Sequence, residues 1–353
     1  MYPYKNSELK RISSILLLSF FVLAIGCKNH KNKIAPSFYY WKSEFSISKA
    51  ETEYLKQLGC TKLYVRFFDV DLEDEKRFPV PVSVLQSGDI RNTGLQIVPV
   101  IFITNRVFSN ANDSSVKNLA TKVALKIKAI CEKGNISPIH EIQIDCDWSL
   151  KTRESFFDFL KELRSAFLPA KIVLSATIRL HQVKFAKKTG IPPVDRGMLM
   201  YYNMGDVKSH KTGNSILDFE KAERYVNFID KYPLPLDIAL PLYSWGVLFR
   251  RGQVIDLVNN LDIKSIAKDN LFKISRDNLY RCDSDHYFLG QYFYKNDILR
   301  IEETKYKDLT KAAKQLSRHL PHHDFTLAFY HLDSTIIQKY SNENLIHIIN
   351  LLD

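Results

Sequence analysis

The sequence predicts an α/β fold: a closed (β/α)8 TIM barrel with a β-hairpin and helix segment inserted between strands 7 and 8. Three observations predict it. Eight short runs rich in β-branched and aromatic residues alternate with amphipathic stretches. The fourth run, "EIQIDCDW" (Glu141 to Trp148), is apolar on one face and polar on the other. No Gly-rich phosphate loop accompanies the strands, so the alternative, a doubly wound open sheet, has no support of its own.

In order, "FYYW" (Phe38 to Trp41) is the first strand. "SKAETEYLKQLG" follows as a helix, with Ser48 and Glu51 forming a capping box and Gly59 a stop. "KLYVRFFDVD" (Lys62 to Asp71) is the second strand and "LQIVPVIFITN" (Leu95 to Asn105) the third. Apolar residues three and four apart make "SVKNLATKVALKIKAICEKG" a helix. Strand four follows, then a helix from Thr152 to Phe167. "KIVLSATI" (Lys171 to Ile178) and "GMLMYYNM" (Gly197 to Met204) are strands five and six, joined by a short helix and a proline-stiffened loop. "FEKAERYVNFID" is the next helix and "LDIALPLYSW" (Leu236 to Trp245) strand seven. "DFTLAFYHLD" (Asp324 to Asp333) is strand eight, and "NENLIHIINLL" a closing helix.

The step from strand seven to strand eight is about 80 residues, longer than a barrel repeat requires. Residues 255–320 read as an insertion, with a hairpin turning at Lys295-Asn296-Asp297 and a helix near "KDLTKAAKQLSRHL". The whole of 38–353 is then one domain.

Ahead of it, Lys5, Lys10 and Arg11 precede an apolar run from Ile12 to Ile25, followed by Gly26 and Cys27. That is the pattern of a secretory signal over residues 1–26, too short for a comfortable membrane span. "LAIGC" resembles a bacterial lipoprotein signal, which implies acylation at Cys27 and lipid attachment in the cell envelope, periplasmic or outer surface. A plain secretory peptide or an uncleaved anchor are the alternatives. Residues 27–37 read as a polar tether.

The chain has 353 residues, 45% hydrophobic and 25% charged, ample for a large core. Loss of residues 1–26 removes three cations and Glu8, taking the formal net charge from +11 to about +9. The lysines and arginines are scattered with no nucleic-acid motif beside them, so no nucleic-acid partner is expected. Cys60, Cys131, Cys146 and Cys282 form no metal-type pair, and export permits either a disulfide or buried thiols.

Along strand four, Gln143, Asp145 and Asp147 share one face. The outer face of a barrel strand is covered by helices, so these three rise inside toward the C-terminal mouth. Two acids about 6–7 Å apart split their protonation, one staying protonated as a general acid beside a charged neighbour. The alternatives are ion pairs with Arg66 or Arg179 that only hold the mouth, or a metal site, for which further ligands cannot be placed. No metal and no cofactor are expected.

"IQIDCDW" resembles the strand-four motif D-x-D-x-E of glycoside hydrolase family 18, the chitinase-like enzymes. "MYYN" (Met200 to Asn203) resembles their M-x-Y-D on strand six, and "LPLYSWG" (Leu240 to Gly246) their P-F-Y-G on strand seven. The resemblance covers about 20 residues and implies a barrel with Asp147 as general acid and Asp145 as its partner. Tyr202 and Asn203 would then hold an acetamido group. The chain departs from the pattern at Gln143, Asp147 and Asn203, where the motif has Asp, Glu and Asp. "QIDCDW", "LSATIRLHQ" and "PPVDRGMLMYYNMG" also resemble exported bacterial barrels of the domain of unknown function 3142 type, which implies no activity.

Other residues fall at the same mouth. Arg179 clamps a substrate or pairs with the acids, while His181 reads as a loop residue. Trp41, Tyr202, Tyr243 and Trp245 suit stacking on sugar rings or ordinary packing. His331 and Asp333 end strand eight, and His322 and His323 fall at the opposite rim. No Ser-His-Asp order, G-x-S-x-G or H-E-x-x-H motif is present. The expected function is action on carbohydrate by a lipid-anchored glycoside hydrolase. The alternative is a non-catalytic glycan-binding or scaffold lipoprotein.

Overall fold

The computed structural model describes residues 32–353 apart from 75–77, 87–89, 137, 260, 262 and 321–322. The expected signal segment, Cys27, residues 28–31 of the expected tether and His322 lie outside the described residues. Strand β1 (Ile34–Tyr40) leads to helix α1 (Lys49–Gln57), then β2 (Lys62–Leu72) and β3 (Pro79–Val82). Next come β4 (Gln96–Ile103), α2 (Asp113–Gly134), β5 (Glu141–Asp145), α3 (Arg153–Ala166) and β6 (Val173–Arg179). After short helices α4 (Leu180–Lys184) and α5 (Ala186–Thr189) follow β7 (Arg196–Met200), α6 (Phe219–Val226) and β8 (Leu236–Pro241).

An inserted sheet comes next: β9 (Ser244–Arg250), β10 (Gln253–Asn259), α7 (Ile263–Ala267), β11 (Phe272–Arg276) and β12 (Leu279–Cys282). Strands β13 (His286–Phe288), β14 (Gln291–Phe293) and β15 (Ile298–Glu303) complete it. Helix α8 (Tyr306–Leu316), β16 (Phe325–Tyr330), α9 (Ser334–Lys339) and α10 (Asn342–Asn350) end the chain.

Eight parallel strands close the barrel. Their order is β1-β16-β8-β7-β6-β5-β4-β2, and β1 also pairs with β2, which completes the ring; β3 lies antiparallel on β2. Local chemistry agrees with this path. The Ser48 side chain accepts from the Glu51 amide at 3.2 Å while the Glu51 carboxylate accepts from the Ser48 amide at 2.7 Å. Gly59 then turns the chain at φ +70°.

Three boundaries differ from expectation. The first strand starts at Ile34, because β16 needs a second edge partner: Ile34 to Ser37 pair with Phe325 to Ala328. Those residues are strand rather than tether. The insertion begins at Ser244 and ends at Glu303, and it is a five-stranded antiparallel sheet, β10-β9-β15-β12-β11, beside a β13–β14 hairpin. It encloses a core of its own that includes Leu248, Phe272, Tyr280, Phe293 and Leu299. The hairpin turns at Leu289-Gly290, both at positive φ, while Lys295 to Asp297 form a second turn leading into β15. Helix α8 belongs to the barrel wall: it packs on α6 and α10, and its Gln315 accepts from the Tyr201 hydroxyl at 2.5 Å.

Below the mouth, buried polar side chains of β5 and β8 have partners on other strands. Glu141 accepts from Ser175 at 2.7 Å and pairs with Lys62 at 3.2 Å. Asp237, buried, takes both Nε and Nη2 of Arg196 at 2.9 and 2.7 Å and the Thr326 amide at 2.6 Å, joining β7, β8 and β16. Truncation of Arg196 strands that carboxylate. Arg196→Ala is therefore expected to cost about 3 kcal/mol, read as a lower thermal midpoint. A loss below about 1 kcal/mol would show that the pair does not hold these strands together.

Candidate functional site

The strand ends meet in an open cleft of about 560 Å³ at the C-terminal mouth. An adjoining lobe of about 540 Å³ shares the Arg179, Tyr202 and Asn203 wall with it. Asp145, Arg179, Tyr202, Asn203, Tyr243, Trp245, His331 and Trp41 all line the main cleft, so eight of the expected site residues are brought together.

Gln143 is not among them. It faces inward as expected but is completely buried, one layer lower, where its Oε1 accepts from the Tyr39 hydroxyl at 2.6 Å. Its Nε2 lies 3.4 Å from Ser175 Oγ. Tyr39 occupies the space above it and lines the cleft, so Gln143 fixes Tyr39 rather than meeting a ligand.

The two acids part company. Strand pairing of β5 ends at Asp145, which stays on the cleft wall, buried, accepting from Thr177 Oγ1 at 2.6 Å. Asp147, beyond the last paired residue, swings into the adjoining lobe with its side chain 58% exposed. The expected pairing along one strand face becomes a pair astride a cation. Arg179 donates through Nε and Nη2 to the two oxygens of Asp147, the latter at 3.2 Å, and its Nη2 stands 3.8 Å from Asp145 Oδ1.

The electrostatics follow from burial. Desolvation pushes the Asp145 carboxyl above its usual range; Arg179 opposes this and Asp147 adds to it. The two acids hold the Arg179 guanidinium charged against the desolvation that opposes it. Burial lowers His331 and His181, favouring neutral imidazoles in the main cleft and the side lobe respectively.

Aromatic rings make the cleft walls. Tyr330 sits at their centre, its ring 5.6 Å from Tyr39, 5.4 Å from Trp41, 5.6 Å from Tyr202 and 5.7 Å from Tyr243. The Tyr243 hydroxyl donates to Asn203 Oδ1 at 2.5 Å, an exchange that suits asparagine, whose backbone is left-handed here at φ 55°. Trp245 is the second residue of β9 rather than the end of strand seven, and its indole N–H donates to buried Glu302 at 2.8 Å.

Sequence reasoning missed Tyr330, Tyr39, Arg66, Lys42 and Asn259, all of which line the cleft. Alternation could have found Tyr330, which follows Thr326 and Ala328 on the inward face of strand eight. Arg66 had appeared only as a partner for the strand-four acids; instead its Nε donates to Asp69 at 2.7 Å. Lys42 pairs with Asp333 at 3.1 Å. Asp71, at the edge of the mouth, is bound by Arg106, which holds its carboxyl at about 2.

The four described cysteines are free and buried, and burial pushes Cys60 and Cys131 up to about 12. Among the described residues no three His, Cys, Asp or Glu side chains gather as a metal site, and no helix is long and apolar enough to cross a membrane.

No protein-family model and no curated protein matches the chain, so the resemblance to the domain of unknown function 3142 type rests on its motifs alone. Solved structures do match. The spore cortex-lytic enzyme SleL of Bacillus megaterium QM B1551 superposes with a TM-score of 0.56 at 11% identity, over 92% of this chain and 76% of that one. A chitinase from Chromobacterium violaceum gives 0.54 at 11%, over 90% and 99%. The Ostrinia furnacalis Group IV chitinase in complex with allosamidin gives 0.50 at 12%, over 90% and 98%. At these identities the likeness establishes the architecture, a (β/α)8 barrel similar to those of chitinase-like enzymes.

Proposed function

We propose that this chain is a carbohydrate-active barrel, a glycoside hydrolase acting on glycan chains laid across the mouth. The observation that carries the reading is the cleft itself: five aromatic side chains, Tyr39, Trp41, Tyr202, Tyr243 and Tyr330, packed around one buried carboxyl, Asp145. Rings suit the apolar faces of sugars, and a desolvated acid suits proton delivery to a glycosidic oxygen. The chitinase-like architecture and the motifs on strands four, six and seven support the same class.

Between the two acids, the geometry favours Asp145 as proton donor. It faces the main cleft, and its protonated form is favoured by burial. Asp147 accepts from Arg179 on both oxygens and stands in the side lobe, so its role is to hold the guanidinium that steadies Asp145. Tyr243 and Asn203 form the polar corner that would orient a sugar substituent, an acetamido group by the family resemblance.

One observation favours a second reading, glycan binding without cleavage. Arg179 reaches both acids, which leaves no free carboxylate on the cleft wall beside the proposed acid. Lipid attachment at Cys27 and a place in the cell envelope complete the proposal; the charged, apolar and Gly-Cys segments at the N-terminus support them.

Several measurements test this. Asp145→Asn is expected to lower kcat on a responsive glycan by about 10²–10⁴-fold while binding persists. In the wild type, kcat/KM should fall as pH rises through the raised Asp145 value, since the acid must be protonated. Its folded pKa is raised, so the stability linked to this proton is present below about pH 4 and lost as pH rises through the folded value. Asp145→Asn should abolish that loss. Binding by the wild type with no cleavage of any N-acetylated or acidic glycan would establish the second reading, and absence of binding would end both. Separately, Cys27→Ser should move the protein from the membrane to the soluble fraction; unchanged partition would refute the anchor.

A further inference from the structure

Two arginines line the main cleft in the same attitude. Arg66 turns Nε and Nη2 toward Asp69, the first at 2.7 Å, and Arg179 turns Nε and Nη2 toward Asp147. Their side chains are 16% and 20% exposed. Each fork spends one edge on an aspartate. Nη1 of each has no hydrogen-bond partner among the described residues, Nη2 of Arg179 also faces Asp145 at 3.8 Å, and both guanidinium groups belong to the cleft wall. Both line the same cleft as Tyr330, the aromatic centre.

A largely buried guanidinium whose Nη1 has no acceptor is a binding group in waiting. Neutral sugar hydroxyls would satisfy it only weakly, whereas a carboxylate accepts two parallel N–H bonds and a charge. The remaining cleft cation, Lys42, is already paired with Asp333, so the discrimination rests on the two arginines. The formal net charge, +11 for the whole chain and about +9 without residues 1–26, would draw a polyanionic chain toward the protein.

We infer that the cleft selects an acidic glycan, binding a sugar-borne carboxylate through the free edges of Arg66 and Arg179. This rests on the carbohydrate reading above and narrows it to a substrate class. Two sources carry the group: a hexuronic acid within the chain, or the lactyl ether of an N-acetylmuramic residue.

The test is calorimetric binding of three oligosaccharides of matched length to the full-length protein. One is built of hexuronate, one contains N-acetylmuramic acid, and one is a neutral N-acetylglucosamine oligomer. An acidic oligomer is expected to bind at least about ten-fold tighter than the neutral one, as one charged hydrogen-bonded contact provides. The preference should shrink with added salt, and the better acidic ligand identifies the source. Arg66→Lys keeps the charge beside Asp69 but loses the second edge, and is expected to remove most of the preference for the acidic oligomer over the neutral one. If that variant does not fold, the wild-type preference and its salt dependence decide alone. Equal binding of acidic and neutral oligomers would overturn this inference and leave the carbohydrate reading standing. Failure of all three to bind would overturn both.

Discussion

The interior of this barrel depends on a hydrogen bond across its axis, from the Tyr39 hydroxyl on the first strand to Gln143 on the fourth. Closing eight parallel strands forces alternate side chains inward, and β5 contributes Glu141, Gln143 and Asp145 in succession. Polar groups buried without partners cost on the order of 1–3 kcal/mol each. The fold answers with partners from other strands: Lys62, Tyr64 and Ser175 around Glu141, Tyr39 above Gln143, Thr177 beside Asp145. Each partner fixes a ring or a hydroxyl in turn, so the floor of the cleft is set by the satisfaction of the layers beneath it.

Arg179 continues this logic at the rim, under a different balance. A single guanidinium serves two carboxylates, one desolvated and one largely exposed. It lowers the cost of keeping Asp145 in a dry place without neutralising its tendency to hold a proton. Removing the cation would leave two like charges near each other, and removing Asp147 would free the cation to seize Asp145. The three groups therefore act as one unit, and substitutions within it are not expected to add.

Much of this was legible in the chain. The capping box at Ser48 and Glu51, the eight strands and the inward face of "EIQID" follow from local rules of period and cap, which do not depend on distant residues. What was not legible depends on where pairing stops. Asp147 carries the same alternation as Asp145, and only the end of the ladder at Asp145 sends it elsewhere. Gln143 has the right face but the wrong depth, which is set by the bulk of Tyr39 from a strand about 100 residues away. The inserted sheet was read as a single hairpin because its strands are short and half-exposed, and two turns at positive φ, near Gly290 and at Asn296, compete for the bend. Arg66 and Tyr330 gain their place only when the mouth is assembled.

The inserted sheet leaves and re-enters the barrel through neighbours: Ser244 at the start of β9 pairs directly with Glu303 at the end of β15. Its ends are clamped by its own hydrogen bonds, and its core is separate from that of the barrel. Loop-closure entropy then grows only slowly with whatever lies between the two ends. The segment is in effect a cassette with a fixed socket. Residues can be gained or lost beyond the clamp, reshaping the far side of the protein, while Trp245 and the cleft edge keep their positions.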